Sequence, residues 1–273
     1  MTTNPYRSIS IRYLRWLALL VVSLSPTLFA TTLARADDQR PNVVFIIVDD
    51  LNDLPLAPLG KPAIVTPNID RLAERGVSFT NAHTNDPICA PSRACMMFGL
   101  YPQTTGLYWF ENWRQNKILN ESVSLNRHLK NNGYAVFGTG KVYHIGRGDN
   151  AFDEFGYRTE FGPWPWDGKG GQVFWPHPDM MYMYKSDGDM GYKWEHHFGR
   201  LSRIPEWPAD EANGVPGYKG WRLYGKPFRY VNNEDRDPLA DELCADWSTE
   251  IIERDHDKPY ALFTGLVRTH TPL

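Results

Sequence analysis

The sequence predicts an α/β fold, with a mostly parallel central sheet flanked by helices. Three observations predict it. Short, continuous runs of apolar and β-branched residues read as strands buried on both faces, as in a parallel sheet. Segments of helical periodicity alternate with those runs. Gly and Pro punctuate the junctions between them.

The first strand covers 42–48 (NVVFIIV) and ends at Asp49 and Asp50. A helix follows over 67–75, with Ile69, Leu72 and Ala73 on one face and Gly76 as its stop. Residues 77–82 read as a second strand. The next helix covers 91–98, with Pro91 suited to a first helical position, where its missing N–H has no partner to lose. Another helix over 124–132 stops at Gly133, and a strand follows over 134–138. Regular structure resumes with a helix over 239–254 and a strand over 260–267.

Between these parts the pattern changes. Residues 152–230 are crowded with Pro, Gly and aromatic rings and carry Trp164, Trp166, Trp175, Trp194, Trp207 and Trp221, six of the ten tryptophans. Disordered segments are poor in aromatics, so this stretch is expected to be an ordered insertion. Its rings either pack beneath a long loop or offer stacking surfaces to a ligand.

Residues 1–36 stand apart from the fold. Arg7, Arg12 and Arg15 make a basic start, an apolar run from Trp16 to Leu24 follows, and Ala34-Arg35-Ala36 offers small residues for cleavage. This is the pattern of a secretory signal peptide, which predicts export to a periplasmic, extracellular or lysosome-like compartment and no stable membrane span after cleavage. Those 36 residues hold four of the 29 basic side chains and no acid. The remainder has 25 basic and 32 acidic side chains, a net charge of −7. An acidic exported chain argues against a nucleic-acid partner. The three cysteines, Cys89, Cys95 and Cys244, leave one unpaired in an oxidising compartment. A Cys95–Cys244 bridge is the open alternative, with Cys89 free.

Four groups of residues carry candidate chemistry, and each follows a predicted strand. Asp49 and Asp50 are adjacent carboxylates at a strand end, where a divalent cation would relieve their repulsion. The segment Cys89-Ala90-Pro91-Ser92-Arg93 places a thiol, a hydroxyl and a guanidinium at a helix start, which suits an anion. Arg93 and the helix terminus would favour a reactive group at Cys89. Gly140-Lys141-Val142-Tyr143-His144 supplies an ammonium and an imidazole. His270 follows the last strand in Arg268-Thr269-His270-Thr271-Pro272. A parallel sheet would bring all four to one edge.

These residues resemble the type I, formylglycine-dependent sulfatases of the alkaline phosphatase superfamily. The resemblance rests on Cys89-Ala90-Pro91-Ser92-Arg93 with Gly99 six residues on, on residues 66–73 (TPNIDRLA), and on the strand ending at Asp49-Asp50. Pairing Gly140-Lys141-Val142-Tyr143-His144 with His270-Thr271-Pro272 is most similar to the iduronate-2-sulfatase-like branch. The resemblance implies hydrolysis of sulfate esters, on a sulfated carbohydrate. It implies that a maturation enzyme oxidises Cys89 to formylglycine, whose hydrate attacks sulfur. It implies a Ca²⁺ site, with Mg²⁺ as the alternative ion, that includes Asp49, Asp50 and residue 89. Arg93 would stabilise the hydrate and the metal site, Lys141 and His270 would bind sulfate oxygens, and His144 would take a proton from the hydrate. The family takes further metal ligands and a second Lys from beyond His270. Residues 37–273 are therefore expected to be the N-terminal part of a sulfatase catalytic domain. Two other readings compete: a phosphatase or phosphodiesterase of the same superfamily, and an inactive remnant or sulfated-glycan binder.

Overall fold

The computed structural model describes residues 40–51, 65–144, 146, 148, 150–166, 168, 209, 212 and 217–270. The signal-like segment, Trp175, Trp194, Trp207 and residues 271–273 lie outside them. Strand β1 is Val43–Val48, followed by helices α1 (Pro67–Glu74), α2 (Cys89–Phe98) and α3 (Pro102–Thr105). A 3-10 turn at Trp113–Gln115 leads to α4 (Lys117–Glu121) and α5 (Leu125–Asn131). Strands β2 (Ala135–Gly140), β3 (Glu154–Arg158), β4 (Trp164–Pro165), β5 (Trp221–Leu223) and β6 (Lys226–Phe228) come next. Helix α6 (Ala240–Glu253) and strand β7 (Tyr260–Leu266) follow.

The central sheet runs β1-β7-β2-β3 with every described pairing parallel. Val43 pairs with Ala261 and Val48 with Leu266, while Ala135 pairs with Tyr260 and Gly140 with Gly265. Alternation along each strand splits the side chains between two faces. Val136, Ala261 and Phe263 join Ala94 and Met97 of α2 in one core. Ala135, Phe137, Tyr260 and Leu262 join Ile251 of α6 in another. Both faces of β2 and β7 are therefore covered, which is why these strands read as unbroken apolar runs.

Two glycines let β2 and β7 come together at their carboxyl ends. A Cβ on Gly140 would collide with the Gly265 carbonyl oxygen, and one on Gly265 would collide with the Lys141 carbonyl group. Gly140 also has φ of 70°, a conformation that favours glycine. Its strand ends two residues later than the sequence predicts, and Lys141 follows directly, its N–H donating to Gly265 O at 2.8 Å.

The stretch expected to be an insertion begins inside the central sheet, because β3 pairs with β2. A small antiparallel sheet, β4-β5-β6, follows. Trp164 and Trp221 are buried in its core with Tyr218 and Phe228, so these two indoles pack. The Trp164 indole N–H donates to Glu160 Oε1 at 2.7 Å.

Two expectations need correction, and one open alternative is answered. Residues 77–82 form no strand; Val77 and Phe79 are largely exposed, and the apolar alternation there faces solvent. Helix α2 begins at Cys89, two residues before the expected start, so Pro91 stands third in its first turn. That position still lacks an intrahelical partner for an N–H, which is why proline is tolerated. Cys95 and Cys244 are both free and buried, and no bridge joins them. Burial pushes the Cys244 thiol up to about 11.

Candidate active site at the strand ends

Asp49 stands directly after β1 and is buried. Its Oδ1 accepts from Arg93 Nη2 at 2.6 Å, and its Oδ2 is ion-paired with Lys141 Nζ. Burial pushes the Asp49 carboxyl up, but Arg93 and Lys141 outweigh it and hold the group below the usual carboxylate range. Asp49 is therefore an anion clamped between two buried cations. Asp50, next in sequence, is exposed and has φ of 56°. This left-handed turn is unusual for a residue other than glycine, though short polar side chains tolerate it. It sends the two neighbouring carboxylates to different surroundings.

Cys89 is the first residue of α2 and is half-buried. Arg93, one turn further on, is buried. Besides Asp49, its guanidinium reaches the carbonyl of Lys141 and that of Val142, the latter at 3.2 Å. Arg93 thus ties α2 to the ends of β1 and β2. Ser92 is drawn away from the cluster, its hydroxyl lying 3.0 Å from that of Thr84.

Lys141 and His144 follow β2. Lys141 is 1% exposed. His144 is half-buried, and its Nδ1 has no hydrogen-bond partner among the described residues. Burial, then the charges of Lys141 and Arg93, lower the His144 pKa below 6.5. That direction favours the neutral imidazole, the form a proton acceptor needs. Its ring lies 5.2 Å from that of Phe110.

His270 is carried by the loop after β7. That loop is fastened to β1: Asp49 N–H donates to Leu266 O at 3.0 Å, and Thr269 N–H to Asp49 O at 3.2 Å. Asp241, in the first turn of α6, fastens it from the other side, accepting from Val267 N and Arg268 N at 2.8 Å each. His270 Nε2 is 3.8 Å from Asp50 Oδ2.

One ligand atom from each of Asp49, Asp50, Cys89 and His270 lies within 4.8 Å of the others. Ligands about 2.3–2.6 Å from one ion can stand up to about 5 Å apart, so the cluster matches the span of a Ca²⁺ site. Its two carboxylates suit Ca²⁺ or Mg²⁺. The four residues fit as part of such a site; Ca²⁺ takes about 6–8 oxygen ligands. The sequence predicts all four as site residues. It misses Asp241, which looks like an ordinary acidic helix start, and Phe161, one ring in a segment full of rings.

The sulfatase family model matches residues 41–273. A sulfatase of Formosa agariphila is 44% identical over 143 residues, covering 48% of this chain and 28% of its own. Human iduronate 2-sulfatase is 37% identical over 153 residues, covering 56% of this chain and 28% of its own. The crystal structure of Ps i-CgsB in complex with k-i-k-neocarrahexaose aligns with a TM-score of 0.50 at 20% identity, over 86% of this chain and 46% of that one, which bears on the fold alone. The chain spans about half the length of the curated relatives it matches. With the family model matched over almost all of the described fold, the chain belongs to the sulfatase family.

Proposed function

We propose that this chain carries the N-terminal part of an exported enzyme that hydrolyses sulfate esters on a sulfated carbohydrate. The observation that carries the reading is the meeting of Asp49, Asp50, Cys89 and His270 within 4.8 Å, beside the buried cation Lys141. Cys89 would be the precursor of a formylglycine made by a maturation enzyme. The hydrated aldehyde supplies a nucleophile, and a bound Ca²⁺ or Mg²⁺ supplies Lewis acidity at the sulfate.

The chain's own residues have separable roles. Asp49 and Asp50 would hold the cation. Lys141, packed against Asp49, puts a fixed positive charge where sulfate oxygens gain negative charge. His270 stands at the same mouth and can donate to such an oxygen. His144 would accept a proton from the residue-89 hydroxyl. Arg93 keeps α2 and both strand ends in register, so that residue 89 faces the cluster. The sulfated-carbohydrate class is supported by relatives such as human iduronate 2-sulfatase and an N-acetylgalactosamine-6-O-sulfatase of Bacteroides thetaiotaomicron. The signal-like residues 1–36 support export.

The test uses the full-length protein, made with a maturation enzyme, on paired aryl sulfate and aryl phosphate substrates. Faster sulfate turnover is expected, together with a residue-89 peptide whose mass reflects loss of hydrogen sulfide and gain of one oxygen atom. The Cys89→Ala variant should fold and lose turnover. Faster phosphate turnover, or an unmodified thiol in active protein, would sink the reading.

A further inference from the structure

The geometry points to Phe161 as a positioning residue of this site, its ring setting the two groups that would meet the sulfate; the inference rests on the sulfatase reading. Phe161 comes from the turn between β3 and β4, within the aromatic-rich stretch. Its ring centroid is 4.8 Å from Lys141 Nζ, within reach of a cation–π contact. The same ring is 5.1 Å from the His270 imidazole at an interplanar angle of 60°. One phenyl group thus touches both the buried ammonium after β2 and the imidazole after β7.

The turn behind that ring is held at several points. Glu160 Oε1 accepts from Phe161 N at 3.0 Å, Gly162 N at 3.2 Å and Trp164 Nε1 at 2.7 Å. Arg268 Nη2 donates to Phe161 O at 2.8 Å and to Gly162 O at 3.2 Å. Arg268 stands two residues before His270. The β7 loop and the β3–β4 turn are therefore fastened twice, backbone to guanidinium and ring to ring. A side chain fixed at its own backbone is a better support for a neighbour than a freely rotating one.

Phe161 does two things from this position. Lys141 has Asp49 on one side and the phenyl face on another, so the ring limits where the ammonium can point. Against His270 the ring fixes the plane of the imidazole, and with it the direction of Nε2. Losing the ring would let both groups swing, weakening capture of a sulfate group more than it weakens the fold.

The test compares Phe161→Tyr, Phe161→Leu and Phe161→Ala in the full-length protein, with Ile251→Val as a control in the separate core beneath α6. Two quantities are read: the rise in melting temperature on adding inorganic sulfate, and KM and kcat for an aryl sulfate. Phe161→Tyr keeps an aromatic face and should behave as the parent. Phe161→Leu and Phe161→Ala should weaken sulfate binding by roughly tenfold and raise KM in parallel, a size within the range for coupling between groups in contact. Ile251→Val should lower the melting temperature without changing the sulfate-induced rise. The inference is overturned if Phe161→Leu matches Phe161→Tyr, if Phe161→Ala binds sulfate as the parent does, or if sulfate shifts none of the proteins. If Phe161→Ala fails to fold, the Tyr and Leu pair decides. Absence of aryl sulfate turnover in the parent defeats the sulfatase reading, while the sulfate-induced shift still decides the role of Phe161.

Discussion

Replacing Asp49 by Asn removes the carboxylate that Arg93 and Lys141 share. Both cations are buried, with side chains 5% and 1% exposed, and Asp49 is buried with them. Deleting one partner of a buried ion pair costs about 3–5 kcal/mol, because the surviving charge is left without compensation. Here two cations lose a shared anion, so the upper end of that range, about 5 kcal/mol, is expected for Asp49→Asn. Lys141→Met is milder, since Asp49 keeps Arg93 at 2.6 Å and the methionine stem can still pack against Phe161. The double variant should be less unstable than the sum of the two by about 0.5–3 kcal/mol, as contacting residues are not additive. Urea unfolding in EDTA, analysed by linear extrapolation, gives each value without a contribution from bound metal. The reasoning fails if Asp49→Asn lies within about 1 kcal/mol of the parent, or if Lys141→Met costs more than Asp49→Asn.

Gly265→Ala should lower stability by about 1–3 kcal/mol and weaken sulfate binding, because the new methyl meets the Lys141 backbone rather than a flexible side chain; unchanged urea midpoint and unchanged sulfate-induced melting shift would contradict the close approach. Asp153 joins Lys130 at 2.8 Å and accepts from Val136 N at 2.8 Å. Burial raises its pKa, but those two partners outweigh it and the net value falls below 3.8. Its contribution is therefore present above pH 3.8 and lost as pH falls through the lower folded value. The stability difference between the parent and Asp153→Asn should shrink across that acid range, and a difference constant from about pH 6 to about pH 2 would refute the linkage.

The central sheet was legible because its strands are short, apolar on both faces and separated by helices. β1, β7 and α6 lie within a residue of their expected limits, and β2 differs by two residues, where a left-handed glycine continues the strand. The small sheet was not legible. Its strands are two or three residues long, and their residues, such as Trp221 and Phe228, owe their burial to partners distant in sequence. Residues 77–82 misled in the opposite way, since alternation shows periodicity but does not supply a sheet to pair with. The candidate site was legible as residue types at strand ends. What those residues do to one another was not. Nothing in Ser92 or Arg93 shows that the hydroxyl turns to Thr84 and the guanidinium to Asp49, because those directions depend on side chains brought in by other elements.

The order β1-β7-β2 sets when the site can exist. β1 and β2 share no edge; the strand between them is the last of the described strands to be made. Thr269 grips the carbonyl of Asp49 across 220 residues of sequence. At a synthesis rate of about 5–20 residues per second, that separation corresponds to roughly 10–40 seconds during which the first strand has been made but its neighbour has not. For roughly 9–34 seconds of that interval, from its own synthesis to that of β7, Cys89 lies on a chain that lacks the strand needed to close the sheet beside it. The cluster is therefore a late product of folding, and the cysteine is older than its pocket.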